Sequence, residues 1–182
     1  MAGGLAQRVS AVKTLYLVRH AKSSWSDPSL ADQDRPLNKR GLRDAPVMGQ
    51  RLAGHQGRVD ALWTSPARRA VETAHYFAKA MTVPRKEIEL RDRLYTSSID
   101  DLLFEVKSCP DEVKHLLVVG HNPVITEFAN LLIESGRDME VGMIPTCGIV
   151  ALEFPCSTWQ KIRENEGKLL FFDYPKKNIT PV

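Results

Sequence analysis

The chain has 182 residues, 43% of them hydrophobic and 26% charged, with a formal net charge of +3. That length suits one domain around one core, and the composition lies far from disordered, collagenous or membrane-embedded classes. The charge is mild, and no dense basic stripe or reading motif of a nucleic-acid binder is present, so no nucleic-acid partner is expected.

No apolar run approaches the roughly 18 to 20 residues of a membrane-spanning helix, and the opening MAGGLAQRVSAVK lacks the apolar centre of a secretory signal. A cytoplasmic protein without membrane association is expected. Cys109, Cys147 and Cys156 are widely spaced with no CxxC pair, and read as reduced, partly buried thiols.

Residues 1–12 are small and polar and read as a flexible tail, leaving 13–182 as the single domain. The apolar, β-rich run Thr14-Leu15-Tyr16-Leu17-Val18 predicts a central strand covered on both faces, stopping at Arg19-His20. After a polar loop, Asn38 is placed to cap a helix with Leu42, Ala45, Met48, Gly49 and Leu52 on one side and a kink at Pro46. Val59–Trp63 reads as a second strand. Beyond Thr64-Ser65-Pro66, a helix is expected with Ala70, Ala74, Phe77, Ala78 and Met81 facing inward.

A short β segment around Ile88 to Leu90 precedes a helix capped by Ser98, with Ile99, Leu102, Leu103 and Val106 at helical spacing and Pro110 marking its end. His115 to Val119 forms the next apolar strand. Gly120-His121-Asn122-Pro123 turns into a helix lined by Val124, Ile125, Phe128, Ala129 and Leu132, and Gly148 to Phe154 and Leu169 to Tyr174 close the set. Alternating strands and helices predict an α/β fold, a three-layer α/β/α sandwich with a mostly parallel central sheet. Sites in such folds gather beyond the carboxyl ends of strands.

Three strands end in reactive groups: Arg19-His20, then Ser65 with Arg68-Arg69, then His121. Parallel strands would place them on one edge, where two histidines and two arginines suit phosphoryl transfer. A neutral imidazole attacks phosphorus while guanidinium forks hold the oxygens. The attacking nitrogen must be unprotonated, so the other nitrogen of His20 is expected to donate to a backbone carbonyl or another acceptor. Lys39, Arg40 and Arg43 read as solvated surface charge. No carboxylate and histidine cluster has metal-ligand spacing and no P-loop or GxGxxG occurs, so neither metal nor nucleotide cofactor is expected.

The segments LVRHAKSSW, TSPARRAVETA and VVGHNP, in this order, resemble the three signature segments of the histidine phosphatase superfamily. That resemblance implies a phosphoglycerate mutase-like fold and a phosphatase working through a phosphohistidine intermediate. It matches His20 to the nucleophile, Arg19 and Arg69 to the phosphate-clamping arginines and His121 to the second pocket histidine, whereas Arg68 matches no family position. RHAKSSW with DQDRPLNKRG and LLFFDYP is most similar to the small SixA-type phosphohistidine phosphatases.

Ala21 stands where many relatives carry glycine, which a backbone of negative φ accommodates. By the same resemblance Ser23 and Lys22 are expected to bind substrate. The stretch Leu90-Arg91-Asp92-Arg93-Leu94-Tyr95 is similar to a family segment that carries the general acid, making Asp92 the first candidate and Asp32 the second. A poor acid would favour phosphoramidates, because a phosphohistidine imidazole can leave neutral. The short span between Arg69 and His121 leaves little room for a lid over a small metabolite. A phosphorylated protein is therefore the expected partner. A small phosphorylated metabolite, or phosphate binding without turnover, stands as the alternative.

Overall fold

The computed structural model describes residues 11–56, 59–95, 98–134 and 141–177, so that of the expected tail only Ala11 and Val12 are included. In chain order the elements are β1 (Lys13–Arg19), α1 (Lys39–Gln56), β2 (Ala61–Thr64), α2 (Arg68–Ala80), β3 (Ile88–Leu90), α3 (Ile99–Lys107), β4 (His115–Gly120), α4 (Val124–Leu132), β5 (Ile149–Phe154) and β6 (Lys168–Asp173). They form one six-stranded sheet in the order β3-β2-β4-β1-β5-β6. The first four strands of that order run parallel; β5 runs antiparallel to β1, and the edge strand β6 pairs antiparallel with β5.

Successive side chains of each central strand point to opposite faces and so enter two separate buried clusters. Leu15, Leu17, Trp63, Leu116 and Val118 join one buried cluster with Leu102, Val106, Ile125 and Phe128 of α3 and α4. Tyr16, Val18, Leu62, Leu117 and Val119 join a second with Met48, Leu52, Ala70, Ala74 and Phe77 of α1 and α2. The central strands are covered on both sides, as their unbroken apolar runs required, and the molecule is a three-layer α/β/α sandwich.

Local signals explain the boundaries. Asn38 Oδ1 accepts from the Gly41 N–H at 2.9 Å at the start of α1. Ser98 and Asp101 form a reciprocal capping box at the start of α3. The second strand starts and ends later than expected, at Ala61 and Thr64. Pro46 does not interrupt α1. Leu42 departs from the expected inner face and is 46% exposed. It lines a groove with Glu72, His75 and Tyr76 of α2, and the inner position of that turn is taken by Gly41, which presses on the backbone of Lys22.

That close approach ties α1 to the loop after β1. A Cβ at Gly41 would fall far inside contact distance of the Lys22 carbonyl oxygen, whereas one at Gly54 of the same helix meets nothing within 4 Å. Gly54→Ala is therefore expected to stabilise the protein by up to about 1 kcal/mol through helix propensity. Gly41→Ala is expected to destabilise it by about 1 to 3 kcal/mol through overpacking. Urea unfolding of both variants checks this, and equal stabilisation by the two would contradict the packing.

Candidate active site

The neighbouring parallel strands β1, β4 and β2 end level with one another: Arg19 pairs with Gly120, and Thr64 with Val119. The residues that follow emerge on one edge and are pinned there by backbone bonds. The His20 N–H donates to Gly120 O at 3.0 Å and the Ser65 N–H to Val119 O at 3.1 Å. On the other side of β1, the Cys147 N–H reaches Arg19 O at 3.0 Å and His20 O at 3.2 Å. Cys147 holds a φ of 64°, a conformation unusual for a residue with a side chain.

Thr73 joins this edge to α2. Its hydroxyl donates to Arg69 O at 2.7 Å and accepts the Ala21 N–H at 3.0 Å. Ala21 is fully buried and is not among the positive-φ residues, so alanine fits where many relatives carry glycine.

The side chains converge. The His20 and His121 rings stand 5.0 Å apart between centroids. His20 Nδ1 is 2.7 Å from Ala21 O, and since a carbonyl only accepts, Nδ1 carries the proton and Nε2 keeps its lone pair. Burial, reinforced by the neighbouring His121, Arg69 and Arg19, lowers the His20 pKa from 6.5 to about 3. His121 lies 2.7 Å from Ser65 Oγ through Nε2. Burial and the positive charge of Arg69 lower its pKa to about 4, against an opposing pull from Asp32. Arg19, tethered through Nη1 to Ile144 O at 2.8 Å, has its pKa lowered by burial and by the charge of Arg40.

Arg69 is held by Asp32, donating through Nη1 to the backbone carbonyl at 2.6 Å and through Nη2 to Oδ2 at 2.9 Å. The same carboxylate accepts from Arg35 Nη1 at 2.7 Å and from the Tyr95 hydroxyl at 3.0 Å. These donors outweigh its partial desolvation and bring its pKa down to about 2. Asp32 is an ionised bracket for Arg69, and it is not poised as a proton donor.

His20, Arg19, Arg69 and His121 are thus brought together, with Asp32 bonded to Arg69 and Ser65 to His121, whereas Asp92, Ser23, Lys22 and Arg68 make no bond to these four side chains. Asp92 is exposed, and no hydrogen bond or ion pair joins its side chain to the cluster. Tyr95 of the same stretch does reach in, touching Asp32 and standing 5.8 Å from the His121 ring. Ser23 is buried and takes up Arg35 Nη2 at 2.7 Å, so it supports the loop from within. Lys22 makes no side-chain hydrogen bond or ion pair among the described residues. Arg68 points away into an ion pair with Glu72 at 2.8 Å. Sequence reasoning placed Ser65 at the strand edge but gave it no partner, and it missed Thr73. The signal for Thr73 was its position one helical turn after Arg69.

An anion pocket of two imidazoles and two guanidiniums beyond the carboxyl ends of parallel strands defines a phosphoryl-transfer site. Residues 15–112 match the sequence profile of the Histidine phosphatase superfamily (branch 1). An uncharacterised protein of Mycobacterium tuberculosis is 34% identical over 165 residues, covering 87% of this chain and 100% of that protein. Among solved structures, one assigned as phosphohistidine phosphatase SixA from Nakamurella multipartitia is 26% identical with a TM-score of 0.76, covering 91% of this chain and 98% of that one. The protein histidine phosphatase SixA complexed with tungstate has the same fold, with a TM-score of 0.73 at 19% identity and coverage of 89% and 97%. The chain belongs to the histidine phosphatase superfamily. It has the phosphoglycerate mutase-like fold and is a phosphatase with a catalytic histidine.

The lowered histidine pKa values link to stability. Each imidazole is harder to protonate folded than unfolded, so the unfolded chain binds more protons at mildly acid pH. The contribution is complete above pH 6.5 and is lost as pH falls toward about 4 for His121 and about 3 for His20. The unfolding free energy should fall by at most about 1.4 kcal/mol per pH unit for each ring below pH 6.5. Ring-nitrogen NMR is expected to show both imidazoles neutral at pH 5, and a protonated His20 at that pH would contradict the assigned environment.

Proposed function

We propose that the protein is a metal-independent protein phosphohistidine phosphatase. On this reading it acts on phosphohistidine in a signalling or phosphorelay protein. Nε2 of His20 attacks phosphorus in line, the bond to the leaving nitrogen breaks, and the phosphoryl group passes to His20. Water then attacks phospho-His20, releasing phosphate and restoring the free Nε2. Arg19 and Arg69 grip the non-bridging oxygens and oppose the charge spread over them during transfer. Arg69 spends two of its five N–H groups on Asp32 and keeps the others for the anion. A bound dianion favours the protonated form of His121, making it a donor to phosphate.

The observation that carries the choice of substrate is the state of Asp32. It is the carboxylate bonded into the cluster, and its donors keep it ionised. An ester needs a proton for its departing alkoxide, whereas phosphohistidine leaves as a neutral imidazole once its distal nitrogen is protonated. The likeness to SixA structures assigned to phosphohistidine supports the same reading.

Phosphate release from a phosphohistidine protein and from sugar phosphates tests it, with the first expected to be much faster. Faster release from the sugar phosphates would favour a small-molecule esterase. His20→Ala should abolish an acid-labile phosphoenzyme, and an unaltered hydrolysis rate would refute the nucleophile. Arg19→Ala or Arg69→Ala should cost about 3 kcal/mol of transition-state stabilisation, roughly a hundredfold in kcat/KM. Asp92→Asn should leave turnover of phosphohistidine unchanged; a tenfold or greater loss, about 1.4 kcal/mol, would reinstate it as the acid.

A further inference from the structure

Beside the catalytic edge, α1 and the segment after β6 enclose an open groove of about 300 Å³ lined by Arg40, Arg43, Asp44, Val47, Pro175 and Lys176. Its floor carries one buried carboxylate: Asp44 is paired with Arg40 at 3.4 Å and with Arg43 at 3.0 Å. Three cations therefore face one anion, and Lys176 is exposed with no carboxylate partner among the described residues. Buried Asp44 orients the two guanidiniums from below while leaving much of each in water.

Arg40 links the groove wall to the catalytic edge through a chain of hydrogen bonds. Its Nη2 donates to Thr146 Oγ1 at 3.2 Å, and the next residue, Cys147, binds the carbonyls of Arg19 and His20. The charge of Arg40 is also felt at Arg19. A substrate segment seated here would flank the edge that carries Arg19 and His20.

We infer that this groove docks an acidic segment of the phosphorylated protein substrate, with Arg40, Arg43 and Lys176 pairing with its carboxylates. The inference rests on the phosphoprotein reading above and adds a specificity surface to it. A second phosphate is the poorer occupant, because a dianion wants a tight cradle of donors, and here the cations are spread along a trough whose buried Asp44 opposes concentrated negative charge. Carboxylates distributed along a peptide match that spread, and the exposed side chain of Val47 beside Pro175 offers their aliphatic stems an apolar wall. Association would be steered by charge and weakened by salt.

Two phosphohistidine peptides that differ only in flanking Glu or Gln, together with free phosphohistidine, test this on the full chain. The wild type is expected to favour the acidic peptide roughly tenfold in kcat/KM at low salt. The preference should fade near 1 M salt, where the Debye length is about 3 Å. Arg43→Gln combined with Lys176→Gln should remove most of the preference while free phosphohistidine is hydrolysed as before, and Arg43→Glu with Lys176→Glu should reverse it. Thermal melting confirms that the exposed substitutions leave the fold intact. Equal rates for the two peptides in the wild type, or a preference that survives both double variants, would overturn the docking surface alone. Hydrolysis of sugar phosphates with neither peptide turned over would overturn the phosphoprotein reading, and the docking surface with it.

Discussion

Parallel pairing of three neighbouring strands, β1, β4 and β2, is the constraint on which the pocket depends. Because Arg19 lies opposite Gly120 and Thr64 opposite Val119, the chain leaves the sheet at nearly the same level in three places. Backbone bonds then hold His20 to β4, Ser65 to β4 and Cys147 to β1. A slip of one residue in any of these pairings would turn the strand's apolar side chains to the wrong face and carry its terminal residue out of the cluster. The same register that divides the apolar side chains between the two cores therefore also sets the positions of the reacting groups.

Gathering cations around two imidazoles works against stability and toward binding. Burial and like charge keep both rings neutral, which supplies a nucleophilic nitrogen at neutral pH. Asp32 is the counterweight: its carboxylate ties Arg35, Arg69 and Tyr95 together, and Arg35 in turn reaches Ser23 and stacks 3.1 Å over the Trp25 ring. Arg19 Nε is buried with no hydrogen-bond partner among the described residues, an incomplete satisfaction of the kind tolerated where a ligand completes the set. The site is thus charged in advance for an anion, with its geometry fixed by a loop that lies outside the sheet.

The strands and helices were legible because their signals are local: an unbroken apolar run for β1 and β4, Ser98 before α3, and small residues along α2. The four central residues of the site were legible for a related reason, since a reactive group one step past a parallel strand has only one edge to occupy. What the sequence hid depends on side-chain reach across the fold. Asp92 and Tyr95 lie on the same turn, and only the structure shows that Tyr95 reaches the pocket. Asp32 read as an acid candidate until three donors were found on its carboxylate. Ser23 read as a phosphate ligand, whereas its hydroxyl accepts from Arg35 Nη2. Leu42 followed the helical period, yet the close approach of Gly41 to Lys22 set which side of that turn faces inward.

The most direct test is a crystal structure with vanadate, an oxyanion whose trigonal-bipyramidal form resembles the phosphoryl group in flight. Vanadium bound to His20 Nε2, with its oxygens in hydrogen-bond reach of Arg19, Arg69 and His121, is the expected result. Vanadate bound elsewhere, or held by His20 with either guanidinium turned away, would contradict a pocket in which all four side chains serve one anion.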